Sequence, residues 1–151
     1  KMLADYGDAD LICYRATFPV ELVARQAEVW DPLIDWASRE LNAPLLPVSG
    51  VIHKPQSASS LARLHDLVAE LDPFTLAAFH DLVALSGSLV IGFATLYDFA
   101  PADSLWIMSR VDEIWQEEQW GQDGEAIETM QIKRDSFLQA KTFADMVRQP
   151  A

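Results

Sequence analysis

Hydrophobic residues recur along most of this chain at intervals of three and four positions, which is the spacing of an amphipathic α-helix. Gly, Pro, Ser and Asp residues separate the periodic stretches, where they end one helix and cap the next. The pattern predicts helices over residues 20–42, 57–71, 73–86, 88–99, 101–121 and 123–147. Within the first of these, Asp31 as an N-cap and Pro32 at the first helical position predict two helices at an angle instead of one straight rod.

Two segments lack the helical pattern and are expected to be extended. One is residues 11–19, which ends at Pro19. The other is residues 44–56, where three prolines prevent a helix but allow a short strand at 45–52. Sustained helices with short links predict an all-α fold, and prolines at the junctions favour crossed packing. We therefore expect an orthogonal multi-helix bundle with a short extended or β-like segment near 45–53.

The first residues have the pattern of a helix tail. Met2, Leu3 and Tyr6 fall on one helical face, and Gly7 is a suitable end for such a helix. We therefore expect the chain to be one helical domain, residues 1–151, from the C-terminal part of a longer protein.

An uncharged run at residues 82–97 could suggest a membrane span. It is shorter than the roughly 20 apolar residues that a spanning helix needs, and Ser86, Gly87 and Ser88 interrupt it. The run is therefore interpreted as two buried helices that meet at Gly87, without membrane insertion.

Composition narrows the class of protein. Half of the 151 residues are hydrophobic, which suits a single globular core, and the net charge of −12 disfavours nucleic acid as a partner. The single cysteine, Cys13, cannot form an internal disulfide; we expect it to be buried, in a protein of a reducing compartment. Nine acidic residues and one basic residue, Arg110, lie within residues 98–128.

Residues 109–121, SRVDEIWQEEQWG, carry much of this charge. On one continuous helix the core face would be formed by Ile107, Met108, Val111, Ile114 and Trp115. The opposite face would carry carboxylates between two tryptophans. We interpret that face as a protein-binding surface, because aromatic rings supply contact area and carboxylates select basic groups. The alternative is that the indoles pack on a neighbouring helix and the carboxylates pair with arginines. The predicted partner-binding residues are Trp106, Arg110, Asp112, Glu113, Gln116, Glu117 and Trp120.

Catalytic and metal-binding patterns are weak. The histidines, His53, His65 and His80, have no second ligand at a spacing such as i,i+4 and are expected at the surface. The sequence around Gly87 joins two helices, so it is not the strand-to-helix turn of a nucleophilic serine, and no phosphate-binding loop is found. We expect no enzyme, metal or cofactor. A small hydrolase that uses the paired carboxylates is kept as an alternative.

Several polar and aromatic residues are assigned structural roles. Arg15 is expected to pair with a carboxylate such as Asp31 or Glu113, and Gln26 to be a buried amide with its hydrogen bonds satisfied. Trp30 and Trp36 are expected in the core.

Three stretches, YRATFPVELVARQAEVWDPLIDWA (14–37), LSGSLVIGFA and SRVDEIWQEEQWG, resemble the ATP-twelve family of assembly chaperones, which serve the catalytic head of F-type ATP synthase. The matching positions are Tyr14, Arg15, Pro19, Leu22, Gln26, Trp30, Asp31, Pro32, Trp36, Ala37, Ser109, Arg110, Glu113, Gln116, Trp120 and Gly121. The connection around 45–60 and the last helix match less clearly. The resemblance corresponds to the helical C-terminal part of the family, and implies that a β-rich N-terminal domain lies outside this chain.

The resemblance implies a non-enzymatic chaperone. Such a protein would bind the free alpha subunit of the catalytic head until beta subunits replace it, without ATP hydrolysis. Glu113 has the best family match and is the first choice for holding the alpha subunit, whereas Glu117 rests on the helix projection alone. A helical adaptor whose acidic face docks another basic protein is the alternative. We expect a monomer in the bacterial cytoplasm, with the mitochondrial matrix as the alternative.

Overall fold

The computed structural model describes residues 4–50, 55–121 and 123–148, and most of these residues are helical, which confirms the predicted all-α class with a short β-like segment. The helices α1 to α7 are, in order, Val20–Glu40, Ala58–Ala69, Pro73–Ser86, Leu89–Leu96, Ala102–Met108, Val111–Trp120 and Gly124–Arg148. Among the described residues, no helix has both the length and the apolar character needed to cross a bilayer.

Two short strands accompany the helices. Strand β1 (Tyr14–Arg15) pairs in parallel with β2 (Val48–Ser49), and β2 lies inside the segment that was expected to be extended or β-like. The expectation that residues 11–13 are extended is wrong, since Leu11–Cys13 forms a 3-10 helix. Asp10 caps this turn by accepting a hydrogen bond from the backbone N–H of Ile12.

The beginning of the chain also departs from its prediction. Ala4–Ala9 forms a 3-10 helix, so Gly7 lies within a helical segment and does not end one. Gly7 is buried against Leu61 and Leu64 of α2, and this contact explains the small residue there. Met2 and Leu3 lie outside the described residues.

Helix α4 forms the centre of the core. All of its residues are buried, and it follows α3 through Gly87, whose φ of 79° ends α3 as predicted. The two helices approach closely at Gly92, where a Cβ atom would lie 2.8 Å from Val83 Cγ2 and 2.9 Å from Phe79 Cε1. The prediction of two buried helices meeting at Gly87 is therefore confirmed.

Helix α1 is continuous, so the prediction of two helices divided at Pro32 is wrong. Proline removes one backbone hydrogen bond of the helix. Pro32 is exposed, however, on the side of α1 that is open to water. The opposite side buries Trp30, Leu33 and Trp36, so packing on both sides of the proline holds one helix together. This burial also confirms the core positions of the two tryptophans.

Helix α7 packs mainly along α3, while its first turns are exposed. Lys141 joins α7 to the turn after α4, since its Nζ lies 2.7 Å from Asp98 Oδ1, and it also pairs with Asp145 of α7 at 2.6 Å. Burial by itself would lower the pKa of Lys141, but the hydrogen bonds and charges of these carboxylates raise it above its ordinary value. The lysine is therefore held in its charged form.

Asp10 joins the N-terminal segment to the core. Its carboxyl is fully buried and accepts hydrogen bonds from the backbone N–H groups of Ile12 (3.2 Å) and Val90 (3.0 Å). Burial raises the pKa of Asp10 from 3.8 to about 6, although these hydrogen bonds and one from Ser88 oppose the shift. The folded state therefore binds a proton at this carboxyl more tightly than the unfolded chain does.

This raised pKa predicts a pH-dependent stability. The stabilising contribution of the proton on Asp10 is fully present below pH 3.8 and is lost as the pH rises through about 6. Relative to Asp10→Asn, the free energy of unfolding of the unsubstituted protein is expected to fall by about 1 kcal/mol from pH 5 to pH 7.5. Urea unfolding at several pH values measures the difference.

Asp72→Asn is the matched control for this experiment. Asp72 is exposed and caps α3, and hydrogen bonds from Thr75 and Phe74 lower the pKa of its carboxyl. The carboxyl of Asp72 therefore stays ionised between pH 5 and pH 7.5. The difference in free energy of unfolding between the unsubstituted protein and Asp72→Asn should be constant over this range. An Asp10→Asn difference that is equally constant would contradict the prediction.

Candidate functional site

The predicted single helix over residues 101–121 is in fact two helices, α5 and α6, separated at Ser109 and Arg110. Ser109 Oγ donates to the carbonyl of Trp106 at 2.6 Å, and the N–H of Arg110 bonds to the carbonyl of Ile107, three residues back. A serine side chain that competes for backbone carbonyls in this way favours the end of a helix.

The break changes which residues share a face. Trp106 is 2 % exposed and packs against Phe137 of α7 with a centroid distance of 5.4 Å, whereas Trp120 is 79 % exposed at the end of α6. The prediction that these two tryptophans lie on one outward face is therefore wrong. Ile107 was expected in the core but is 55 % exposed, while Val111 is buried as predicted.

Arg110 holds the junction between α5 and α6. Its guanidinium lies 4.7 Å above the ring of Trp106, pairs with Glu113 at 2.8 Å, and donates to the carbonyl of Ser86 at 3.1 Å. These contacts use most of its hydrogen-bonding capacity. Arg110 therefore positions α6 against the end of α3.

The carboxylates of α6 have different surroundings. Glu113 pairs with Arg110, Glu118 pairs with Arg25 at 2.9 Å, and Asp112 accepts a hydrogen bond from Gln26. Glu117 makes no ion pair with any residue that the structure describes. The least compensated negative charge on this helix is therefore that of Glu117.

A groove of about 340 Å³ lies between residues 14–16, the first turns of α1, and α6; we call it the α6 groove. Its lining includes Pro19, Leu22, Asp112, Trp115, Gln116 and Trp120. A second hollow of about 430 Å³ separates α6 from the first turns of α7 and is lined by Arg110 and Glu113. Of the predicted partner-binding residues, Asp112, Gln116 and Trp120 thus line the first hollow and Arg110 and Glu113 line the second, whereas Trp106 and Glu117 line neither.

Gln26 fixes the floor of the α6 groove. Its Oε1 accepts from the N–H of Ala16 at 2.8 Å, and its Nε2 donates to Asp112 Oδ1 at 2.6 Å. The amide is buried and satisfied on both sides, as predicted. One side chain of α1 therefore connects the segment after β1 to α6.

Trp30 adds a second connection between α1 and this region. Its indole Nε1 donates to the carbonyl of Met108 at 2.7 Å, just before the break between α5 and α6. Arg25 lies 5.1 Å above the ring of Trp115, so a third residue of α1 contacts α6. The position of α6 is thus set by α1.

Two exposed apolar residues beside the groove were not predicted from the sequence. Phe18 is 79 % exposed and Val20 is 74 % exposed, on either side of the groove residue Pro19. Exposed aromatic and aliphatic groups beside one groove are typical of a protein-binding surface. The sequence signal was three apolar residues around Pro19, just ahead of the helical pattern.

Arg15 pairs with Asp31, which confirms one of the two predicted partners. Its Nη1 lies 2.8 Å from Asp31 Oδ1, and its Nε donates to the carbonyl of Ile12 at 2.8 Å. The side chain is 8 % exposed and lines the α6 groove. Its Nη2 is buried and has no hydrogen-bond partner among the residues that the structure describes.

Groups suited to metal binding or catalysis are not assembled in the described part of the chain. No cluster of three or more His, Cys, Asp or Glu side chains there could hold a metal ion. His65 and His80 are exposed as predicted, and His53 lies outside the described residues.

Cys13 is buried as expected, and burial raises the pKa of its thiol to about 12, so it remains protonated. Asp10, whose pKa is also raised, is sealed in the core.

Comparison with known proteins gives consistent matches. The family model described as ATP12 chaperone protein matches residues 1–38. The crystal structure of Atp12 from Paracoccus denitrificans has a TM-score of 0.95 and 46 % identity, over 97 % of this chain and 63 % of that one. A point mutant of the same protein gives the same values. The Atu1473 protein of Agrobacterium tumefaciens, a candidate chaperone, has a TM-score of 0.88 and 34 % identity, over 95 % of this chain and 53 % of that one. The chain therefore spans less than two thirds of the length of these structures.

Proposed function

Since this chain belongs to the ATP12 chaperone family, we propose that it binds the unassembled alpha subunit of the F-type ATP synthase catalytic head and prevents its aggregation until beta subunits replace it. The observation that carries this proposal is the surface of α6. Its carboxylates and the exposed ring of Trp120 lie beside a groove with apolar walls.

This surface has the chemistry that a protein client needs. An alpha subunit outside the complex exposes apolar surface that is buried against its neighbours in the assembled head, and exposed apolar patches promote aggregation. Apolar contacts in and around the α6 groove would supply affinity, while the acidic residues of α6 would select a basic region and speed the encounter.

The proposed mechanism uses binding free energy alone. A chaperone that covers a standard interface of roughly 1,600 Å² stabilises the folded client by mass action, without ATP hydrolysis. A beta subunit forms a larger permanent interface, so it would displace the chaperone by competition. The chain acts in this proposal as a monomeric binding protein and not as an enzyme. We place it in the bacterial cytoplasm, because the matching structures come from bacteria.

Co-expression tests the proposal directly. The full-length protein and this chain are each expressed with the alpha subunit and, separately, with the beta subunit, and the soluble fraction of each subunit is measured. We expect the alpha subunit to become soluble and to copurify, and the beta subunit to be unaffected. Solubilisation of beta but not alpha would refute the assignment. If a different basic protein copurified and alpha did not, the chain would be a helical adaptor.

A further inference from the structure

We propose that the α6 groove binds an extended apolar segment of the client polypeptide, in which one main-chain carbonyl accepts a hydrogen bond from Arg15 and an adjacent basic side chain meets the carboxylates of α6. This inference rests on the proposed chaperone function and specifies how the client is held. It assigns binding roles to Arg15, Leu22 and Gln116, in the groove itself.

The first argument is the unused donor of Arg15. Two of its nitrogen atoms are engaged, Nε by the carbonyl of Ile12 and Nη1 by Asp31, whereas Nη2 is buried without a partner among the described residues. Buried donors are nearly always satisfied, because leaving one unmet is unfavourable. Arg15 lines the groove although Nη2 itself is buried, so a ligand oxygen would satisfy this donor after a small rotation of the guanidinium toward the groove.

The second argument is the apolar character of the walls. Pro19, Leu22, Trp115 and Trp120 line the groove, and Trp120 is largely exposed. Exposed Phe18 extends the same apolar character along the chain beside Pro19. Water molecules in the groove form few hydrogen bonds with these apolar walls. An aliphatic or aromatic side chain placed between the walls would remove apolar surface from solvent, which is favourable.

The third argument is the charge of α6, the helix that forms one wall of the groove. Helix α6 has four acidic residues and no basic one, and Glu117 is not neutralised by any described residue. Arg15 itself is already paired with Asp31, so a carboxylate ligand would gain little there and would be repelled by α6. A neutral carbonyl next to a basic side chain fits both features, and a polypeptide segment supplies the two together.

A matched pair of substitutions on α6 tests the groove. Gln116 and Gln119 are both exposed on the same helix, but Gln116 lines the groove and Gln119 does not. Filling the groove with Gln116→Trp in the full-length protein is expected to weaken binding of the alpha subunit at least about tenfold, whereas Gln119→Trp should change it less than about twofold. Affinity is measured by titration of labelled protein with alpha subunit. Equal effects, or tighter binding by Gln116→Trp, would overturn the proposal.

A second pair tests the hydrogen bond from Arg15. Arg15→Lys and Asp31→Asn both weaken the ion pair between these residues, but only the first removes Nη2. Arg15→Lys is expected to weaken client binding about tenfold, and Asp31→Asn by no more than about threefold. Thermal unfolding of each variant shows whether the fold is intact. If Arg15→Lys and Asp31→Asn lost the same affinity and were equally stable, Arg15 would not be a binding contact.

These outcomes separate this inference from the function on which it rests. If the unsubstituted full-length protein fails to bind the alpha subunit, the proposed function itself is wrong. If it binds and Gln116→Trp binds equally well, the chaperone function stands and the groove is not where the client lies.

Discussion

Reversing charge on α6 is expected to weaken binding of the alpha subunit strongly. Glu117→Lys should reduce affinity for the alpha subunit about tenfold. The substitution places a cation opposite a basic client, in place of a carboxylate that is not neutralised by any described residue. Glu113→Lys should act in the same direction, and the double variant should bind more weakly than either single variant, although the effects of neighbouring charges one helical turn apart do not simply add. Stopped-flow measurements of binding at two salt concentrations should show that the association rate falls most at low salt, where charges are least screened.

The control for this experiment is Glu70→Lys, which makes the same charge change at an exposed position at the end of α2. Its affinity should change less than about twofold. Glu113→Lys also loses the ion pair with Arg110, so its stability is checked by thermal unfolding. Full protection of the alpha subunit by a folded double variant would refute the role of this acidic face.

Replacing Trp30 with alanine is expected to be the most destabilising single change among those considered. The indole is fully buried, and removing it should lower the free energy of unfolding by about 3–5 kcal/mol, because a large cavity remains. The alanine variant also lacks the hydrogen bond from the indole to the carbonyl of Met108. It lacks as well the contact between the indole ring and the guanidinium of Arg15, which lies 5.6 Å away. Urea unfolding measures the loss, and a marginally stable domain would not survive it.

Two variants separate the causes of this effect. Trp30→Phe keeps most of the volume but leaves the carbonyl of Met108 without its donor, so it should be destabilised by about 1–3 kcal/mol. Trp120→Ala removes the same side chain from an exposed position and should leave stability unchanged within about 0.5 kcal/mol while weakening client binding. A large loss of stability in Trp120→Ala would contradict its position on an open surface.

Helix ends were predictable because their signals are local. Asp72 accepts hydrogen bonds from Phe74 and Thr75, Pro73 occupies the first turn, and Gly87 adopts the left-handed conformation that ends α3. The ion pair between Arg15 and Asp31 could also be predicted as one of two alternatives, because a buried cation requires a carboxylate partner. Such features depend on a few neighbouring residues or on one obligatory pairing.

Two local signals misled because packing outweighed them. Proline usually ends a helix, yet buried residues on both sides of exposed Pro32 keep α1 continuous. Conversely, no proline or glycine marks the break between α5 and α6, where hydrogen bonds of Ser109 and Arg110 redirect the chain. A projection that assumed one helix therefore placed Trp106 on the outer face.

By itself the sequence determined the mostly-α class, most helix boundaries, the concentration of acidic residues within residues 98–128, and the family resemblance. Only the tertiary structure decided that Trp106 is buried while Trp120 is exposed, and that α1, residues 14–16 and α6 enclose a groove. Caps and periodicity act over one or two turns, so a sequence displays them directly. The groove joins residues that are far apart in sequence, such as Gln26 and Asp112, which are separated by 86 positions, and it depends on how whole helices pack.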